Sequence, residues 1–187
     1  VDGDGKADFI IGAPEFNSVD GISYLIYGDT KANLGSTIEL NTLGAKGTEI
    51  IGPAPGAERV GDSVSGAGDI NGDGKADFII GAPQGASTGG ISYLIYGDTK
   101  ANLGSTIQLS TLAANEKGIT ITGSSPEQAG TSVSGAGDMD GDGYADFIIG
   151  APVGAEGKSY LIYGSALPSD IILSSLGSAG ITLTGVS

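Results

Sequence analysis

Residues 68 to 83 read Gly-Asp-Ile-Asn-Gly-Asp-Gly-Lys-Ala-Asp-Phe-Ile-Ile-Gly-Ala-Pro. Asp69, Asn71, Asp73 and Asp77 stand at positions 1, 3, 5 and 9 of a nine-residue loop, with Gly72 and Gly74 between them. A hard cation such as Ca2+ takes six to eight oxygen ligands at roughly 2.3–2.6 Å, and a coiled loop with an oxygen at every second position wraps them around one point. The main-chain carbonyl of Lys75, at position 7, supplies one more oxygen in such loops. The interleaved glycines suit a chain that folds back on itself through backbone regions closed to other residues.

The pattern recurs. From Gly137 to Pro152 the side-chain ligands are Asp138, Asp140, Asp142 and Asp146, with the Tyr144 carbonyl at position 7. At the start of the chain Asp2, Asp4 and Asp8 stand in register with the Lys6 carbonyl, and the first carboxylate of that copy would precede Val1. We therefore expect one Ca2+ per repeat, with the first site weaker than the others. An EF-hand would need an acidic ligand at loop position 12, and Ile80 and Ile149 occupy those positions. A merely solvated acidic turn does not account for three copies at fixed spacing.

Asp8, Asp77 and Asp146 fall 69 residues apart, and residues 22–38 recur unchanged at 91–107. A fixed period of this kind defines the architecture before any local propensity does, so the length of 187 residues, which alone would suggest one or two domains, is read instead as nearly three repeats. The blades expected are 1–60 (partial), 61–129 and 130–187. Each repeat reads as four short strands. Asp-Phe-Ile-Ile-Gly-Ala-Pro is an apolar run too short for a helix and closed by proline, which suits a strand buried on both faces. A second strand covers 22–27, 91–96 or 159–163, and a third 48–51, 119–122 or 181–184. The fourth, 63–68 or 132–137, is built of Ser, Val, Gly and Ala, and such small residues suit the crowded inner strands of a radial array. The fold class is all-β, with four-stranded antiparallel blades of a partial β-propeller. Leu40 to Leu43 and Leu109 to Leu112 are the segments able to form a helical turn.

The order Gly-x-Ser-Val, Gly-Asp-x-[Asn/Asp]-Gly-Asp-Gly-x-x-Asp-Phe-Ile-Ile-Gly-Ala-Pro, then a Tyr-rich strand, resembles the FG-GAP repeat. That repeat is the blade of the integrin α-subunit propeller and of large bacterial surface and secreted proteins. The resemblance implies a ring of about seven blades, Ca2+ in the loop between a blade's first and second strands on one face of the disc, and partners docking elsewhere. The Phe-Gly pair naming the repeat reads Val60-Gly61 and Ala129-Gly130 here, a smaller apolar contact.

Composition narrows the function. The formal charge is −14, with 8 Lys and Arg and 22 Asp and Glu, which excludes an electrostatic nucleic-acid surface. Ten of those acidic residues lie in the three loops. No apolar run approaches the roughly 18 residues of a membrane span, so no membrane insertion is expected. With no His and no Cys there is no ordinary nucleophile and base pair, and the carboxylates that a glycosidase would pair are accounted for as ion ligands. Absence of cysteine does not fix the compartment.

Tyr24, Tyr27, Tyr93, Tyr96, Tyr160 and Tyr163 recur at strand spacing, which favours core and inter-blade packing over a sugar platform. Glu15, Asp20 and Glu156 read as solvated loop charge, and residues 52–55 as a turn. The expected function is a non-catalytic, Ca2+-stabilised adhesion or scaffolding module, extracellular or on a cell surface. A carbohydrate-binding propeller, or an accessory domain of a secreted enzyme, with a glycan held by loops 15–21 and 84–90, is the alternative. The expected partners are neighbouring blades of a longer chain, or copies of this one, besides a protein or glycan ligand.

Overall fold

The computed structural model describes all residues except 17–19, 54–57, 86–88, 166, 168–169 and 186–187. The strands are β1 (Phe9–Ala13), β2 (Ile22–Ile26), β3 (Gly47–Ile51), β4 (Ser63–Gly68), β5 (Asp77–Ala82), β6 (Ile91–Ile95), β7 (Thr106–Gln108), β8 (Gly118–Thr122), β9 (Ser132–Gly137), β10 (Asp146–Ala151), β11 (Lys158–Ile162), β12 (Ile171–Ile172) and β13 (Gly180–Thr184). They form three sheets, ordered β1-β2-β3-β7, β4-β5-β6-β8-β12 and β9-β10-β11-β13. The chain is all-β with three antiparallel-rich sheets, the arrangement of partial propeller blades.

The register repeats between sheets. Ser63 faces Gly81, Phe78 faces Ile95 and Ile91 faces Thr122; Ser132 faces Gly150, Phe147 faces Ile162 and Lys158 faces Thr184. Alternate side chains leave opposite faces of a strand, so the apolar run of β5 feeds two cores. Phe78, Ile80 and Ala82 pack with Leu25 and Ile50 of the first sheet, while Ile79 and Leu94 pack with Phe147, Ile149 and Tyr160 of the third. All six residues of β5 are buried. Fully burying one such side chain stabilises by about 1.5–3 kcal/mol, so the middle sheet is held from both sides.

The strands of small residues crowd together as their composition implies. β4 packs against β9, and a β-carbon at Gly135 would stand 2.7 Å from the Gly66 carbonyl oxygen. Equally close is the meeting of the two glycine motifs: a β-carbon at Gly12 would run into the Gly61 carbonyl, and one at Gly81 into that of Gly130. Glycine of the Gly-Ala-Pro sequence in one repeat is thus required by glycine of the Val-Gly or Ala-Gly pair in the next. Val60 and Ala129 are themselves fully buried.

The connection between second and third strands adds what four antiparallel strands per repeat do not include. β7 crosses to the preceding sheet and pairs in parallel with β3, and β12 does the same with β8. Thr48 fixes that crossing, donating from its hydroxyl to the Gly104 carbonyl at 2.6 Å. Two short helices, α1 (Lys31–Leu34) and α2 (Lys100–Leu103), hold the same place in the first two connections, α2 leading into β7, and each is capped by a threonine (Thr30, Thr99) whose side chain accepts from the backbone of the third residue on. Leu40–Thr42 and Leu109–Thr111 each form one 3-10 turn, in the segments where a helical turn is expected. Among the described residues no helix is long and apolar enough to cross a membrane.

Candidate metal centre

Each aspartate loop leaves an inner strand and enters the next: residues 69–77 join β4 to β5, and 138–146 join β9 to β10. A β-bulge at the end of each inner strand, between Gly66 and Gly68 opposite β5 and between Asp146 and Phe147 opposite β9, turns the chain into the loop, the usual work of a bulge beside a site. Consecutive loops lie side by side. Ala145 N–H donates to the Asp69 carbonyl at 2.9 Å, and the Tyr144 ring covers Gly72 so closely that a β-carbon there would lie 2.5 Å from it. Gly72 also has φ +76°, so both space and conformation require glycine.

Within a loop the carboxylates curl the backbone around themselves. Asp69 accepts from Gly72, Asp73 and Gly74 N–H at 2.8–3.1 Å, and Asp138 from Gly141 and Gly143 at 2.7 and 3.0 Å. Asn71 and Asp140 each accept from the residue two positions on, at 3.0 and 3.1 Å. Position 9 is the anchor. Asp77 accepts from Ile70 at 2.8 Å and from Gly97, beyond β6, at 2.7 Å. Asp146 does so from Met139 at 2.6 Å and Gly164 at 2.8 Å, and Asp8 from Asp2 at 3.2 Å and Gly28 at 2.7 Å. One side chain therefore ties the loop, the strand it launches and the end of the following strand.

In the third loop the oxygens of Asp138, Asp140 and Asp146 come within 4.8 Å of one another, a spacing a cation at their centre would satisfy. Asp142 stands outside that group and accepts from Tyr144 N–H at 2.9 Å. Asp73 likewise accepts from Lys75 N–H at 2.8 Å, and the Lys75 ammonium lies 3.5 Å from its other oxygen; Lys6 and Asp4 repeat the pairing at 2.9 and 2.6 Å. The carboxyl of Asp77, 1% exposed, is pushed up to about 6 by burial, against the pull of the Gly97 and Ile70 N–H groups and with the negative charges of Asp73 and Asp69 adding to the rise. A divalent cation would relieve that excess of negative charge, so the residues present fit one.

Three features escape a reading of the sequence. Lys100, the first residue of α2, reaches back to the loop of the preceding repeat, its ammonium 3.1 Å from Asp2 and 4.7 Å above the Tyr27 ring. Glu58 accepts from the Tyr93 hydroxyl at 2.7 Å, and Glu127 from Tyr160 at 2.8 Å and from Lys158 at 2.5 Å. Recurrence of Glu at the 69-residue period is the signal that would have found the pair. Tyr24, Tyr27, Tyr93 and Tyr160 are buried, as their packing role requires. Residues 17–19, 86–88, 54 and 55, which belong to the two candidate glycan loops and the expected turn, lie outside the described residues.

Repeated sheets, an aspartate loop at the same turn of each, and interlocked glycines define a repeat-built propeller protein. The FG-GAP repeat family matches residues 1–26, 60–95 and 129–162, and the chain belongs to that family. It is 32% identical over 163 residues to integrin alpha-PS2 of Drosophila melanogaster, across 81% of this chain and 11% of that protein. It is 30% identical over 172 residues to integrin alpha pat-2 of Caenorhabditis elegans (88% and 13%) and 31% over 104 residues to integrin alpha-6 of Gallus gallus (52% and 8%). The chain spans about a tenth of the length of these curated relatives.

Proposed function

We propose that this chain is a non-catalytic, Ca2+-binding propeller segment of an extracellular or cell-surface protein serving adhesion or scaffolding. Its blades run 1–60, 61–129 and 130–187. The observation that carries the reading is the convergence of Asp138, Asp140 and Asp146 in a loop whose geometry recurs at Asp69 to Asp77. Asp138, Asp140, Asp142 and Asp146 with the Tyr144 carbonyl hold one ion, and Asp69, Asn71, Asp73 and Asp77 with the Lys75 carbonyl a second. Asp2, Asp4 and Asp8 with the Lys6 carbonyl hold a third more weakly, because Lys100 already neutralises part of Asp2.

A bound cation supplies neutralising charge and a fixed point. The chain supplies the position 9 carboxylates, held by two backbone N–H groups each, that carry this fixation into the sheets. Kinship with integrin α subunits supports the adhesion role and the cell surface; affinities of extracellular calcium modules, about 10⁻⁴–10⁻³ M, suit that compartment. Adjoining repeats, in the same chain or in copies of it, are the proposed partners, and the outer face of β13 with Ile181 and Leu183, 45% and 49% exposed, is the surface they would cover. Calcium titration calorimetry tests the reading: saturable heat that Asp138→Asn and Asp69→Asn each remove in part is expected, and absence of heat contradicts it.

One observation favours a glycan ligand as a second reading. A polar cleft of about 400 Å³ beside the second loop is lined by Asn71, Asp73, Tyr96, Asn102, Asn115 and Glu116. Its outer wall is a turn two residues longer than its counterpart at Gly44 to Lys46, with Glu116 held at φ +55°. Glycan-array binding abolished by Asn115→Ala would favour this reading, and array silence the first.

A further inference from the structure

Residues 22–38 and 91–107 are identical, so the first two repeats set the same side chains beside their aspartate loops, and they differ in what fills the space above them. In the first repeat the occupant belongs to the chain itself. The Lys100 ammonium lies 4.7 Å above the Tyr27 ring and 3.1 Å from the Asp2 carboxylate, within the reach of a cation–π contact, and Tyr27 beneath it is buried. The Asn33 amide is engaged as well, donating to Asp29 at 3.1 Å.

The second repeat lacks this filling. Leu173 follows Gly164 by nine positions where Leu109 follows Gly97 by twelve, and the shorter connection contains no lysine. Tyr96, the counterpart of Tyr27, is only half-buried, and the cleft of about 400 Å³ lies beside it. Among the described residues the side-chain amide of Asn102, counterpart of Asn33, has no hydrogen-bond partner, nor has the Glu116 carboxylate. Asn71 stands where the first repeat has Asp2.

Charge and volume decide what such a cleft takes. Lys75 is engaged by Asp73 at 3.5 Å and Lys117 by the Leu103 carbonyl at 3.2 Å, so a ligand meets the carboxylates of Asp98 and Glu116 and no free cation among the lining residues. The space is that of a small-molecule site and exceeds what one lysine stem fills. Side-chain amides both donate and accept, as paired recognition of sugar hydroxyls requires.

We propose that this cleft binds a glycan through an amino sugar whose amine is unacetylated. The ammonium takes the place over Tyr96 that Lys100 holds over Tyr27 and faces Asp98 and Glu116, while ring hydroxyls bond to the amides of Asn71 and Asn102. The inference rests on the glycan reading of the cleft and names the ligand class within it.

The probe is a β-1,4-linked glucosamine tetramer, titrated into the full chain by NMR beside its fully N-acetylated counterpart. Both titrations are made in millimolar Ca2+ at a mildly acidic pH that keeps the sugar amine charged. Saturable binding of the amine form is expected, with shifts at Tyr96, Asn102 and Asn115 and none at Tyr27 and Asn33, whose identical seat Lys100 fills. The acetylated tetramer should bind at least tenfold more weakly. Glu116→Gln and Asp98→Asn should each weaken the amine form about fivefold, the scale of one charge contact near a protein surface, and leave the affinity for the acetylated form unchanged. Neither variant removes a contact of the fold: Gln128 already adopts the positive φ that Glu116 has, and Asn keeps an oxygen to accept from Thr99 N–H.

Equal or tighter binding of the acetylated tetramer overturns the inference and leaves the glycan reading standing. Silence of both tetramers overturns both. Shifts that appear alike in the first two repeats show only the attraction of a cation to an acidic chain, and overturn the inference too. An acetylated Lys-Ala-Asn-Leu peptide that binds more tightly than the amine tetramer assigns the seat to a protein partner and overturns it as well. The calcium reading is untouched by any of these results, because calorimetry tests it separately.

Discussion

At the scale of single residues, one substitution within the repeat reverses the electrostatics of a buried carboxylate. Glu58 and Glu127 occupy the same position and meet equivalent tyrosines, yet burial pushes the Glu58 carboxyl up, the Tyr93 hydrogen bond only partly opposing it. Burial acts in the same direction on Glu127, but the hydrogen bonds from Lys158 and Tyr160 outweigh it and hold its carboxyl low. Lys158 stands where the second sheet has Ile91, and that exchange decides the sign. Glu127 therefore contributes stability that is present above the ordinary glutamate pKa and lost as pH falls through its lower folded value, whereas the folded state binds the proton of Glu58 more tightly than the unfolded chain and loses stability as pH rises through that window. In thermal melts, Glu58→Gln should be better tolerated at pH 7 than at pH 4 and Glu127→Gln the reverse; the same trend for both would contradict the assignment. Lys100 gives a second residue-scale prediction. Lys100→Met should raise the calcium affinity of the first loop roughly fivefold, the effect of removing about 1 kcal/mol of like-charge repulsion near 4 Å. Calorimetry with the second and third loops disabled checks it. Gly81→Ala, forced against the Gly130 backbone, should cost about 2–3 kcal/mol as overpacking, a drop of roughly 4–12 °C in Tm for a chain of this size; a shift under a degree would show that the repeats are not so tightly apposed.

Among the elements, the position 9 aspartate couples loop to strand. Asp146 begins β10 and also holds Met139 and Gly164, so Asp146→Ala should weaken metal binding and loosen the strand together. Hydrogen exchange at Phe147 to Gly150 should speed up at least tenfold, the effect of about 1.4 kcal/mol lost locally; unchanged protection would break the link. The same level shows why some of this architecture was legible in the sequence and some was not. β5 and β10 announce themselves because Phe-Ile-Ile carries its own signal of a strand buried on both faces, and β4 and β9 because only small residues tolerate an approach as close as Gly135 to Gly66. β7 carries no such signal. Thr106–Gln108 is three residues in a polar connection, and becomes a strand because β3 of the preceding repeat offers an edge to it. Lys100 and Glu58 were hidden for the same reason: their partners, Asp2 and Tyr93, lie 98 and 35 residues away, and local pattern does not report a contact between repeats. The ligand spacing was legible throughout, while the separation of Asp142 from the Asp138, Asp140 and Asp146 group depends on how the loop coils.

For the whole molecule, stability is a sum over repeats and the contacts between them, as in other repeat arrays. The middle sheet is covered on both faces. The outer face of the third exposes Ile181 and Leu183, whose counterparts Ile119 and Ile121 are buried by the next sheet. On the proposed reading, bound calcium would act on every repeat at once. At tenfold excess over its dissociation constant, each occupied loop adds about 1.4 kcal/mol by mass action, which for a chain of this length is roughly 2–4 °C in Tm per kcal/mol. The thermal melt recorded in millimolar Ca2+ and again in excess EDTA is the most direct test: a Tm lower by several degrees in chelator, restored on adding calcium back, is the predicted result, and superimposable melts would contradict it.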